Sequence, residues 1–299
     1  MTPCDPSSEG SSDHPQKPAR KPSWLKVRGF GGAGFNRVSS LISDLSLKTV
    51  CQEANCPNRG ECFNRGTAVF LIMGPNCTRN CRFCDVKSGL PCELDADEPR
   101  RVAEASRRLE LRHVVITSVT RDDLHDGGAA HFAATVTEVR RALPQATIEV
   151  LTPDFRGREE ALEIVIKSNP DVFNHNIETV PSLYSQVRPG ADYVRSLSLL
   201  KRASLYEGLL VKSGLMVGLG ETRPELYEVF QNLADNGVSL FTIGQYLAPS
   251  PLHFPVVRFV PPEEFDEYRY AAEGAGIASV FSGPLVRSSY LADTFIPER

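Results

Sequence analysis

The sequence predicts an α/β fold, a partial barrel of six β/α units left open along one side. Two observations predict it. Six short apolar, β-branched runs, at 67–73, 113–118, 147–151, 171–176, 211–218 and 239–244, alternate with segments at helical spacing near 98–109, 129–142, 158–167, 192–206 and 223–235. Such alternation argues for a parallel sheet covered by helices, and right-handed crossovers curl it. Secondly, polar residues fall just past each apolar run: a cysteine loop at 77–84, then 118–128, 152–154, 176–178, 218–221 and 245–246. In a parallel barrel this is the C-terminal mouth, where sites are built. A last helix near 262–275 and a short run at 278–282 complete the alternation. Six units rather than eight predict an incomplete barrel.

The chain has 299 residues, 41% of them hydrophobic, enough for one large core. Its formal charge is -4, from 33 basic and 37 acidic side chains mixed along the chain. No basic run suggests nucleic acid, and no apolar stretch approaches the roughly 20 residues that span a bilayer. Residues 1–21 read as a disordered tail, rich in Pro, Ser and charge. The tail lacks the apolar core of a secretory signal, and Asp5, Glu9 and Asp13 argue against a transit peptide. The expected location is therefore cytoplasmic. There, eight cysteines are metal ligands or free thiols rather than a disulfide framework.

An N-terminal extension at 22–66 leads into the barrel at 67–283, and a C-terminal segment occupies 284–299. Trp24, the only tryptophan, is either a hydrophobic anchor onto the body or a contact for a partner protein. Gly29, Gly31, Gly32 and Gly34 form a flexible turn, since no strand and helix flank them as a nucleotide loop requires. Residues 36–47 show helical spacing. Residues 50–66 hold three cysteines among Pro, Asn and Gly, which predicts an irregular ligand-bearing loop.

The cysteines carry the strongest chemical signal. Cys77, Cys81 and Cys84 place three thiols within eight residues directly after a strand. Thiolates are the usual ligands of 4Fe–4S clusters, and a full protein set needs four. Three leave one iron open to an exchangeable small molecule. A structural zinc site with a distant fourth ligand fits the same spacing. Cys51, Cys56 and Cys62 form a second trio upstream of the barrel. Cys4 and Cys92 belong to no local cluster and read as incidental.

Taken together, the two trios resemble the cysteine signature of the lipoyl synthases, members of the radical-SAM superfamily. Further stretches carry the resemblance: Glu53-Ala54-Asn55-Cys56-Pro57-Asn58, Arg121-Asp122-Asp123-Leu124, Leu151-Thr152-Pro153-Asp154-Phe155, His175-Asn176-Ile177-Glu178-Thr179, Gly218-Leu219-Gly220-Glu221 and Arg287-Ser288-Ser289-Tyr290. It runs from about 22 to 292. Pro75-Asn76 and Ala248 depart from the family pattern, and neither touches an expected ligand.

The resemblance implies a partial (β/α)6 radical-SAM barrel whose two extensions carry an auxiliary iron–sulfur cluster. It implies two 4Fe–4S clusters and S-adenosylmethionine (SAM) as cofactors. Cys77, Cys81 and Cys84 would hold the cluster whose open iron takes SAM, with Phe83 near the adenine. Cys51, Cys56 and Cys62 would hold the auxiliary cluster, with a serine oxygen as fourth ligand, Ser289 being favoured over Ser288. Gly218, Gly220 and Glu221 would border the adenosine, the plain alternative being a strand-to-helix turn. Asn176, which ends the fourth run, would help bind SAM, and Glu178 would bond SAM or a structural Arg. Ser118, Asp122 and Asp123 are candidates for the SAM amino group or ribose, the alternative for each carboxylate being a salt bridge within the mouth. Arg188, Arg195 and Arg287 are candidates for the SAM carboxylate or for ordering the serine segment.

The implied activity is a sulfurtransferase one: two sulfur atoms inserted at carbons 6 and 8 of a protein-bound octanoyl-lysine, the auxiliary cluster serving as donor. Implied partners are octanoylated carriers (the glycine-cleavage H protein and acyltransferase subunits of 2-oxoacid dehydrogenases), a ferredoxin or flavodoxin, and an iron–sulfur cluster carrier, with neither nucleic acid nor membrane. The competing readings are another sulfur-inserting radical-SAM enzyme, such as a biotin synthase, and a zinc-stabilised binding protein without catalysis.

Overall fold

A computed structural model describes residues 21–27, 29, 31–290 and 292. Apart from Lys21, the expected tail and Cys4 within it lie outside the described residues. The N-terminal extension contains α1 (Ala33–Asp44), β1 (Lys48–Thr49), α2 (Val50–Glu53) and α3 (Arg59–Asn64). The body follows as β2 (Val69–Ile72), α4 (Glu98–Arg108), β3 (His113–Ser118), α5 (Ala129–Ala142), β4 (Thr147–Leu151), α6 (Glu159–Lys167), β5 (Val172–Asn174), α7 (Tyr184–Val187), α8 (Tyr193–Ala203), β6 (Leu210–Val217), α9 (Arg223–Asp235), β7 (Leu240–Gln245), α10 (Pro262–Gly274) and β8 (Ser279–Gly283).

The strands form a single sheet whose order is the chain order. β1 pairs antiparallel with β2, and every later pairing is parallel. Six β/α units run from β2 to α10, as the sequence predicts. The run at 278–282 adds β8, parallel to β7. β1 and β8 end the order without meeting, so the curl stays open.

Alternation within each strand separates two faces. Val114 and Ile116, Ile148 and Val150, and Phe241 and Ile243 join the main core under the helices. The residues between them face the lumen. There Val115 packs with Val69, Phe281 and Ala292, so the C-terminal segment reaches the inner face of the sheet.

Lower in the lumen lies a buried polar group. Glu149 on β4 takes both Lys212 Nζ contacts at 3.0 Å, a bond from Asn174 Nδ2 at 2.7 Å, and a 3.3 Å contact to His113 Nε2. Burial alone would raise the Glu149 carboxyl, but Lys212 and the bonds from His113 and Asn174 outweigh it and hold it at about 2. A depressed carboxyl contributes stability above its unfolded value, roughly 4.3, and loses it as pH falls toward the folded one. Lys212→Met leaves the carboxylate buried without its cation. The expected cost at neutral pH is about 3–5 kcal/mol in urea unfolding. The sign of the acid dependence should also reverse, since protonation then relieves the variant. A variant as stable as the parent at pH 7 would remove the ion pair from the account.

Candidate cluster and cofactor site

The first cysteine loop leaves β2 through Met73 and Gly74, both left-handed at φ 70° and 90°. It is then stitched to several neighbours. Cys77 N–H donates to Lys87 O at 2.8 Å, and Thr78 N–H to Thr120 O at 3.0 Å. Arg82 N–H donates to Val187 O, and Phe254 N–H to Arg82 O, each at 2.8 Å. His253 Nε2 lies 3.2 Å from Cys84 O. Cys77 Sγ accepts the amides of Arg79 (3.4 Å) and Thr120 (3.3 Å).

Between Cys77 and Cys81, Arg79 is buried in a carboxylate clamp. It meets Asp122 at 2.8 and 3.0 Å and Asp154 at 2.5 Å. Asp154 also takes Arg195 at 3.0 Å, while Asp123 pairs with Arg121 at 2.8 Å. Asp122, Asp123 and Arg195 are thus spent on ion pairs within the mouth. Burial pushes the Cys84 thiol up to about 12 and raises Cys81 against the pull of Arg188. Without metal these thiols keep their protons, and binding iron must displace them.

Around the mouth, several buried polar atoms have no protein partner among the described residues: Ser118 Oγ, Asn176 Oδ1, Thr179 Oγ1, Arg188 Nε and Ser282 Oγ. Unpaired buried polar groups are costly and point to a missing ligand or water. Asn176 Nδ2 donates to Glu178 Oε1 at 3.0 Å. Its free Oδ1 lies over Gly214 in the lumen, where a Cβ would come within 2.7 Å. Burial raises the Glu178 carboxyl, opposed by Arg188 and Asn176. Arg188 Nη1 donates to Asn176 O and Ile177 O, at 2.9 and 3.0 Å, and so braces the turn that carries both side chains.

The 218–221 turn is held from within. Glu221 accepts the amides of Gly218 (2.6 Å) and Leu219 (2.8 Å), and a Cβ at Gly218 would strike Gln245 and the Arg258 carbonyl. Gly220 adopts φ 113°. Phe83 packs with Met216 against the cluster of Val187, Leu219, Tyr246 and Phe254 beside this turn.

The second trio departs from the expected irregular loop, because two short helices carry it. Thr49 Oγ1 caps α2 by accepting Gln52 N–H, and Thr67 Oγ1 bonds Cys62 O. Asn64 Nδ2 ties α3 to Gly31 O and Gly60 O at 2.7 and 2.8 Å. Cys51 and Cys62 are each pushed up to about 12, by burial first and then by the nearby Cys56. Cys56 N–H donates to Cys51 O at 3.2 Å, which closes the turn after α2. Leu25 rather than Trp24 anchors the entry to this extension: Leu25 is buried, while Trp24 is 41% exposed.

The C-terminal segment lies on the same extension. Asn58 Nδ2 donates to Leu285 O at 2.7 Å, and Tyr290 OH to Glu61 Oε1 at 3.0 Å. Ser288 and Ser289 lie between these fastenings. At Gly244 on β7 only glycine fits, since a Cβ would meet the Val286 carbonyl and the Arg287 guanidinium. Burial disfavours the Arg287 charge, while Cys56 and Glu178 favour it. Cys92 is exposed and joins neither trio. Among the described residues, no three His, Cys, Asp or Glu donors converge on one metal ion.

Residues 71–233 match the model of the Radical SAM superfamily. The lipoyl synthase of Caldanaerobacter subterraneus subsp. tengcongensis is 58% identical over 275 residues, covering 92% of this chain and 96% of that protein. The lipoyl synthase of Methylococcus capsulatus is 56% identical over 281 residues, covering 93% and 87%. This chain belongs to the lipoyl synthase family. Among solved structures, Streptococcus suis SuiB bound to S-adenosylmethionine superposes with a TM-score of 0.55 at 12% identity, covering 72% of this chain and 51% of that one, a likeness of fold alone. As a lipoyl synthase the chain is a radical-SAM enzyme that works with 4Fe–4S clusters and SAM. The residues present fit those groups: six free thiols come as one trio in the N-terminal extension and one in the loop after β2, and unpaired polar atoms lie around the mouth.

Proposed function

We propose that Cys77, Cys81 and Cys84 hold the cluster that binds SAM, and that Cys51, Cys56, Cys62 and Ser289 hold the auxiliary cluster. The observation that carries this is the fastening of 285–290 onto Asn58 and Glu61, the chain neighbours of the second trio, while Val286 and Arg287 lie against Gly244 at the end of β7. Ser289 directly precedes Tyr290, whose hydroxyl is pinned to Glu61 beside Cys62. An oxygen ligand is more easily displaced than a thiolate, which suits a cluster that must come apart.

The reaction inserts two sulfur atoms at carbons 6 and 8 of a carrier-bound octanoyl-lysine to give lipoyl-lysine. Methylene and methyl C–H bonds there have no acidic proton, so general-base chemistry cannot open them. When bound, SAM and the first cluster supply the hydrogen-abstracting radical, and the second cluster supplies sulfide. The protein's share is to bind, orient and exclude water. Asn176, Glu178 and Ser118 offer the polar contacts for SAM, Phe83 the apolar surface for its base, and the turn at Gly218, Gly220 and Glu221 a rigid wall. Glu221 serves that wall through the backbone rather than through the ligand.

We read 22–66 as the auxiliary-cluster extension, 67–283 as the barrel and 284–299 as the serine-bearing segment. The carriers are lipoyl-domain proteins such as the glycine-cleavage H protein and the acyltransferase subunits of 2-oxoacid dehydrogenases. A ferredoxin or flavodoxin supplies electrons, and a cluster carrier restores the consumed sulfur. We place the reaction in the cytoplasm. No described helix is long and apolar enough to cross a membrane.

Reconstituted protein incubated anaerobically with an octanoylated carrier peptide, SAM and a reductant should yield a peptide that has gained two sulfurs and lost two hydrogens. Mass spectrometry reads this directly. Steady SAM cleavage with no sulfur in the peptide would overturn the proposal.

A further inference from the structure

The residue that turns β2 into the first cysteine loop is held in an unusual way. Met73 is not glycine, yet its φ is 70°, and it is almost fully buried. Its N–H donates to Glu98 Oε2 at 2.8 Å. The same oxygen lies 2.7 Å from His131 Nε2. On the other side, the Met73 carbonyl accepts Arg121 Nη1 at 3.4 Å. Gly128 opens the space for the Met73 side chain, since a Cβ there would lie 2.3 Å from the sulfur.

Glu98 and His131 come from different helices. Glu98 is the first residue of α4, where a carboxylate is favoured by the helix dipole. His131 stands in the first turn of α5. Helices return antiparallel to the strands, so both helix starts lie at the mouth. Both side chains are buried and bonded to each other, which fixes the carboxylate oxygen against one backbone amide. A side chain in the left-handed region relaxes unless its surroundings over-determine it. Here the surroundings do, four residues before Cys77.

We propose that Glu98 and His131 are positioning residues for the SAM-binding cluster, locking the Met73 turn so that Cys77, Cys81 and Cys84 present their sulfurs together. This rests on the reading of those cysteines as the ligands of that cluster. Neither side chain touches iron or SAM in this assignment. Glu98 acts through the Met73 backbone amide, and His131 acts through Glu98.

The test compares reconstituted full-length parent, Glu98→Ala, Glu98→Gln, His131→Ala and Cys77→Ala. Iron per chain and the change that SAM produces in the electron paramagnetic resonance signal of the reduced protein are read for each. Glu98→Ala should fall from about eight iron atoms to about four and lose the SAM-dependent change, matching Cys77→Ala, with the remaining auxiliary signal intact. Glu98→Gln should recover more than half of both readouts, because its amide oxygen still accepts the Met73 N–H. His131→Ala, which leaves the carboxylate in place but free to swing, should lie between them. A general loss of structure would remove both clusters and would not be rescued by glutamine, so that pattern overturns the inference. So do Glu98→Ala and His131→Ala variants that keep full iron and the full SAM response while Cys77→Ala loses both. If Cys77→Ala itself keeps the response, the ligand assignment is at fault, and the inference falls with it.

Discussion

Cys81→Ala is expected to abolish cleavage of SAM. The proposed first cluster has three protein ligands and keeps its fourth iron for SAM, so it has no spare thiolate to lend. Loss of an outer partner of a metal ligand already costs about 10–100-fold, and loss of a ligand itself should exceed that. The fold should survive. Cys81 is half-buried in a loop, and alanine removes one sulfur from a site whose backbone is held elsewhere, at Cys77, Arg82 and Cys84. The secondary-structure spectrum and melting midpoint should therefore stay near the parent's while 5′-deoxyadenosine formation falls below about one hundredth. Undiminished 5′-deoxyadenosine would remove Cys81 from the ligand set.

Cys56→Ala should do the reverse. It lies in the turn between α2 and α3, and its N–H donates to Cys51 O at 3.2 Å. Without it the second trio is incomplete and no sulfide donor is assembled. SAM cleavage, which depends on the other trio, should remain within a few-fold of the parent, while the octanoylated peptide returns without sulfur. Lipoyl product at the parental yield would end the donor role for this site. Measured together, the two variants separate radical generation from sulfur delivery.

Much of the barrel was legible because its signals are local. Helices α5 and α9 begin and end where their periodicity predicts, and α9 carries a capping box between Thr222 and Glu225. The helices at 50–53 and 59–64 were not legible. Pro57, Asn55, Asn58 and Gly60 read as loop, and the contacts that settle the matter come from Asn64 reaching back to Gly31 and from the cap at Thr49. Polar roles at the mouth were legible as a set but not one by one. Asp122 could be a ligand contact or an ion-pair partner, and only the fold brings Arg79 onto it across 43 positions. Glu221 shows the same limit, since its bond to Gly218 depends on the turn it sits in. The Glu149 and Lys212 pair, 63 residues apart on two strands, had no signal in either strand's own pattern.

The bond between Glu61 and Tyr290 joins residues 229 apart in the chain. A ribosome adding about 5–20 residues each second needs roughly ten to forty-five seconds to travel that distance. Throughout that interval the nascent N-terminal thiols stand without the segment that Tyr290 fastens to Glu61. Under the proposed ligand set, assembly of the sulfur donor therefore belongs after translation has passed position 290, and the waiting cysteines are open to oxidants and stray metals until then.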